Sequence, residues 1–369
     1  MPVCYNYGQH LTRPHFPQWL LTIILSLLFG IRCAGPEPLP PHFEFSGRPS
    51  ALPVPAASTS EPSRQVIAKG VDSGIEPDPC SNYREANVVA VDEPTTFLGF
   101  TRALAAQLDQ LDLGAVRAAY QTFTRQRGLD PETPGLFTEY ARLRILFEAT
   151  RDGGYWRLRW DITNQEPSAA KIWRAWQIQP LVETFGHALA TAECDELSAL
   201  YALLARRIGI KRVGLFYPTW NHTIAAWVPV ELPGKQRLVL VPTTQIFLGC
   251  SDTFDTTAFK TQMTSIEPYP RWDIRDSSPI PSDTARFLLE QIRVYGPASL
   301  DLQALLRARR AHELKSSVGK CAGYRADLGK RLEGRLSCAD RRALRHFAVR
   351  ELQRPAMSDN EVLEFLMLP

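Results

Sequence analysis

A chain of 369 residues, 44% of them hydrophobic, is long enough to bury a substantial core. Its 42 lysines and arginines nearly balance 39 aspartates and glutamates, leaving a formal charge of +3, which excludes the strong overall positive field of a nucleic-acid-binding protein. The absence of G-x-x-x-x-G-K-[ST], H-E-x-x-H, paired C-x-x-C and G-x-S-x-G patterns leaves nucleotide hydrolysis, zinc peptidase and serine hydrolase chemistry without their marks.

Residues 1–34 carry the apolar run "WLLTIILSLLFGI" behind Arg13. The run is shorter than the about 20 residues of a bilayer span, so it reads as a signal peptide or membrane anchor, with export to the periplasm or cell envelope. Cys33 follows "GIR", which lacks the leucine and the small residue of a lipobox. Residues 35–94, rich in proline, serine and alanine, show no sustained periodicity and read as a disordered tether.

Order is predicted from Thr95. "TTFLGFTRALAAQLDQLD", "LGAVRAAYQTFTRQRG" and "PGLFTEYARLRILFEATRDGG" have helical spacing, with Gly128 and a Gly-Gly pair as stops. In "YWRLRWDIT" the period falls to two, placing Trp156, Leu158 and Trp160 on one face and Arg157 and Arg159 on the other, as in a half-buried strand. Helical spacing returns in "SAAKIWRAWQIQPLVETFGHAL". It then dominates "ECDELSALYALLARRIGI", where Leu197, Leu200, Tyr201, Leu204 and Ile208 form one face. Three strands follow: "KRVGLFYP", "NHTIAAWVPVEL" and "QRLVLVPTTQIF". Residues 251–282 form a long polar connection, and residues 283–369 are a helical extension.

Cys194 opens its helix, where free N–H groups and the dipole favour a thiolate and could hold an oxyanion. His222 opens the second strand, within reach of a helix packed across the sheet. The pair therefore reads as nucleophile and general base, against the plainer readings of a small buried thiol and a packed histidine. His187 is the competing base. Glu193, Asp195 and Glu196 oppose thiolate formation, although carboxylates are also ordinary partners of a first helical turn.

The stretches "ECDELSALYALLARRIGI", "NHTIAAWVPVELPG" and "LVLVPTTQ" resemble the transglutaminase-like superfamily, over about Trp156 to Phe247. The resemblance implies an α+β core of helices on an antiparallel sheet, with papain-type Cys-His-Asp chemistry; no cofactor and no metal ligands are expected from the residues, and calcium dependence is not legible in them. Its orienting aspartate falls on Val241, leaving Thr243, or Gln245, as the group that could hold His222. The site implied is Cys194, His222 and Thr243, with Trp160 as a candidate oxyanion donor. Two functions follow. One is cysteine-dependent cleavage or transfer of an amide in a peptide or protein through a thioester; the other is a non-catalytic scaffold or peptide-binding module.

Setting aside Cys4, Cys33 and Cys194 leaves four cysteines, which fits an oxidising compartment; of the three pairings they allow, Cys321–Cys338 with Cys80–Cys250 is preferred here. The carboxyl-terminal helices carry many more basic than acidic residues, among them Arg307, Arg309, Arg310, Arg325, Arg341, Arg342, Arg345 and Arg350. They read as a solvated face, or as a surface for an anionic envelope polymer or membrane headgroups.

Overall fold

The computed structural model describes residues 80–369 except 85, 164–167, 220–221, 230, 233–234, 237, 245–253, 257–258, 260–265, 271 and 317–320. The apolar run near the amino terminus, Gln245 and Cys250 lie outside the described residues. Among those described, no helix is long and apolar enough to cross a membrane.

Structure begins ahead of Thr95. Val88, Val89 and Val91 pack on the core, and Gln107 holds Asn87 and Val89 through their backbones (3.1 and 2.9 Å), so the tether assigned to 35–94 ends earlier than its composition implies. Strand β1 (Thr95–Thr96) runs into α1 (Phe97–Asp109), whose Thr96 cap accepts the Gly99 N–H. Next come α2 (Gly114–Arg127), ended by Gly128 at φ 57°, and α3 (Leu136–Thr150). The turn after α3 requires glycine at 154, because a Cβ there would lie 2.2 Å from the Glu148 carbonyl oxygen.

That turn changes the strand that follows. Only β2 (Leu158–Trp160) is extended, and Arg157, predicted on a solvent face, is fully buried with φ 50°. Its guanidinium donates to the carbonyls of Thr184 (3.0 Å) and Val182 (2.8 Å), a long-range use of an arginine that strand alternation does not reveal. Helix α4 (Ala169–Ile178) is shorter than its sequence pattern, and β3 (Ala190–Ala192) pairs parallel with β2.

Helix α5 (Cys194–Arg207) crosses an antiparallel sheet of β4 (Val213–Thr219), β5 (His222–Trp227) and β8 (Val239–Val241), with β5 in the centre. A short ribbon, β6 (Glu231–Leu232) with β7 (Lys235–Gln236), lies between β5 and β8 in the chain. Leu197, Leu200 and Leu204 of α5 are fully buried. At roughly 1.5–3 kcal/mol each, these three leucines are a major part of what holds the helix on the sheet.

After β9 (Pro279–Ile280), which pairs with β1, the chain is helical: α6 (Ser282–Tyr295), α7 (Leu300–Glu313), α8 (Ala322–Leu332) and α9 (Cys338–His346). Helix α9 continues through a π-turn (Phe347–Glu351), and α10 (Asp359–Met367), inside the expected helical extension, follows a Ser358/Glu361 capping box. One continuous core joins these helices to α1–α5, and the class is α+β.

Two sequence-based expectations for this half are corrected. Cys338 is bonded to Cys80, so neither preferred pairing occurs; Cys321 is also disulfide-bonded, and Cys194 is the free cysteine among the described residues. The basic residues are not one solvated face: Arg307, Arg309, Arg310 and Arg325 are buried. Arg310 pairs with Glu351 at 2.5 Å, and Arg309 and Arg325 each donate to the Leu368 carbonyl at 2.8 Å.

Candidate active site

Helix α5 starts at Cys194 because the preceding turn is closed by its own carboxylates. Glu196 Oε2 accepts the Glu193 N–H (2.8 Å) while its Oε1 pairs with Lys171 (2.9 Å), and Glu193 holds the Thr163 N–H (3.0 Å). This fixes the first turn at the level of the β5 start. The backbone N–H groups of Thr223 and Asp195 donate to the Cys194 sulfur.

A small polar knot locks that turn to the sheet. The Ser198 hydroxyl lies 2.6 Å from the Cys194 carbonyl, 3.1 Å from the Thr223 carbonyl and 2.8 Å from the Thr243 hydroxyl. The Thr243 hydroxyl is also 3.4 Å from the Cys194 carbonyl. The sequence assigns Thr243 to orienting His222; the hydrogen bonds of its hydroxyl described here run to Ser198 and the Cys194 carbonyl and tie α5 to the strand end. Ser198 was missed. Its signal was a serine four residues after Cys194 on an otherwise apolar helix face, where a hydroxyl must find a partner.

Strand parity decides where His222 looks. Val213, Leu215, Ala225, Trp227, Val239 and Val241 belong to the core on the α5 side, whereas Phe216, Ile224, Ala226 and Leu240 form a separate cluster on the other side. Side chains alternate along a strand, so His222 shares the face of Ile224 and Ala226, and Thr223 shares that of Ala225. The histidine ring lies 5.7 Å from that of Phe259, which packs on the second cluster. The residue opposite Val241 is Ala225, three positions from His222. An aspartate at 241 would therefore meet Ala225 and not the imidazole.

The electrostatics are those of neutral groups. Burial pushes the Cys194 thiol up to about 11; the Thr223 amide offsets part of this, and Asp195 and Glu193 add to it. Burial pushes His222 down to about 4. Both shifts are opposite to those of a thiolate–imidazolium pair. Asp195 is raised to about 6, mainly by burial, with Glu193 and Glu196 contributing.

The remaining candidates sit as follows. His187 Nε2 is 2.9 Å from the Gln179 amide, in the turn leading to β3. Trp160 donates its backbone N–H to Asp152 (2.7 Å), and its buried indole N–H has no hydrogen-bond partner among the described residues. Among those residues, too, no three His, Cys, Asp or Glu side chains gather so as to hold a metal ion.

No family model matches the chain, and neither a curated protein nor a solved structure shows a significant match to it.

Proposed function

We propose that this chain is a non-catalytic scaffold of transglutaminase-like architecture, exported to the cell envelope, in which Cys194 is a packing residue at a helix–sheet junction. What carries the reading is strand parity: His222 faces away from α5, and Ala225 and Val241 occupy the cross-strand pair on the α5 side. A transglutaminase-like core is supported by the succession of Cys helix, hairpin strands and third antiparallel strand. Export is supported by the Cys80–Cys338 disulfide together with the leader-like amino terminus.

A second reading, thioester chemistry on a peptide or protein amide, draws on one observation: the unpartnered indole N–H of Trp160, a donor of the kind an oxyanion needs. Alkylation separates the two. In the folded protein Cys194 should resist iodoacetamide at pH 7 to 9 and react only as pH approaches 11, and His222→Ala should leave that profile unchanged. Rapid labelling at pH 7 that His222→Ala abolishes would establish the dyad and overturn the scaffold reading.

A further inference from the structure

Away from Cys194, a cleft of about 580 Å³ opens beside the Cys80–Cys338 disulfide. Five arginines line it: Arg293 from α6, Arg341, Arg342 and Arg345 from α9, and Arg350 from the π-turn, against the single carboxylate of Asp359. Arg341 is paired with Asp359 (3.0 Å), Arg350 with Glu183 (2.6 Å) and Arg293 with Glu290 (3.5 Å). Arg345 forms no ion pair among the described residues.

Gathering these cations has a local cost. Arg341 and Arg345 stand one helical turn apart, a like-charge spacing that weakens a helix. The core does not use them, since the buried side chains of α9 are Ala339, Asp340, Ala343 and Leu344, while Arg341 and Arg345 are exposed. The cleft is also built rather than incidental. Cys338 is the first residue of α9, and its bond to Cys80 fastens the turn carrying Tyr83, which lines the cleft, onto the arginine-bearing helix.

We propose that this cleft binds a phosphate-bearing anion, and that the Cys80–Cys338 disulfide holds its walls in the binding geometry. The volume suits a small ligand. Guanidinium groups converging from three segments match a tetrahedral, multiply charged acceptor, whereas a lone carboxylate would engage a single fork. The inference does not depend on whether Cys194 is catalytic.

The test uses the full-length protein, with inorganic pyrophosphate and orthophosphate titrated by calorimetry at low and moderate salt. Pyrophosphate should bind, more tightly than orthophosphate, and should weaken as salt rises. Arg341→Gln/Arg345→Gln should lose about tenfold or more in affinity, the size of one to two charge-assisted contacts. Both side chains are exposed, so the fold should persist; Arg331→Gln, in an exposed pair with Asp301 outside the cleft, should change nothing. Cys80→Ser should lower affinity in a protein whose circular dichroism is native. Vesicles of phosphatidylcholine with and without phosphatidylglycerol identify the source: arginine-dependent binding to the anionic vesicles assigns a lipid headgroup, and binding of pyrophosphate alone assigns a soluble ligand. No binding of either at millimolar concentration, or binding that Arg341→Gln/Arg345→Gln leaves intact, overturns the proposal.

Discussion

Where the first turn of α5 meets the sheet, the buried polar groups are hydroxyls, a thiol and backbone amides, the buried carboxylate of that turn, Glu196, being paired with Lys171 instead; among the carboxyl-terminal helices they are guanidiniums and carboxylates. Ser198, Thr223, Thr243 and Cys194 satisfy one another without a formal charge. In the helical half, Arg310 forks onto Glu351 (3.0 and 2.5 Å), and the Tyr295 hydroxyl donates to the same carboxylate (2.7 Å). Burial alone would raise the Glu351 carboxyl, yet Arg310 holds it below its ordinary value. A buried charge persists only with a partner that repays its lost hydration, and among the described residues the groups acting most on the Cys194 thiol are two backbone amides and the carboxylates of Asp195 and Glu193, none of them a cation. The chemically suggestive cysteine thus sits in the less polarised half.

The sharpest way to break this contrast is to remove one member of the charged set. Glu351→Ala leaves Arg310 buried and unpaired and should cost about 3–5 kcal/mol in urea unfolding. A loss below about 1 kcal/mol would mean that water reaches Arg310 and that the two halves do not differ as described.

Placing a charge in the neutral half is the converse experiment. Val241→Asp puts a carboxyl on the fully buried α5 face opposite Ala225, and should destabilise the protein by about 3 kcal/mol without increasing Cys194 alkylation. Wild-type stability together with faster alkylation would show that a histidine does reach position 241.

The smallest effect is a pH dependence. His222 titrates near 4 in the folded protein and near its ordinary 6.5 when unfolded, so between those values the unfolded state binds more protons. Its stabilising contribution is complete above about pH 6.5 and falls as pH drops towards 4. The full shift corresponds to ~3 kcal/mol, and solvent near the strand end reduces this to the order of 1–2 kcal/mol. Asp195, raised to about 6, works the other way: its stabilising contribution is present in acid and fades as pH rises through that value. Comparing His222→Gln with wild type across pH 4–7 isolates the histidine, and the variant should lose less stability on acidification. Parallel curves would place His222 in water.

Much of the fold near Cys194 was legible because it is written locally. The 3.6-residue spacing of Leu197, Leu200 and Leu204 and the alternation in "VGLF" and "TIAAW" fixed a helix and strands in the observed order. Parity could even have placed His222 with Ile224, but which face meets α5 depends on pairing with Val241, a contact between chain-distant residues. Long-range partners hid the rest. Arg157 is buried because the carbonyls of Val182 and Thr184 await it, and Arg310 because Glu351, 41 residues on, reaches back. On sequence alone both look like solvent residues. The cysteine pairing failed for the same reason: adjacency along the chain favoured Cys321 for Cys338, while packing brought Cys80. The capping box before α10 was readable but short.

The Cys80–Cys338 bond joins residues 258 positions apart, and this has a mechanical meaning. Tension drawn between the chain upstream of Cys80 and its carboxyl end passes through the sulfur–sulfur link directly into α9, then the π-turn and α10. Everything from Val88 to α8, including the α5–sheet junction, lies outside that load path. A pull that would peel an unlinked chain from its first helix instead meets a covalent crossbar, and the short segment after Cys338 becomes the part of the molecule that yields first.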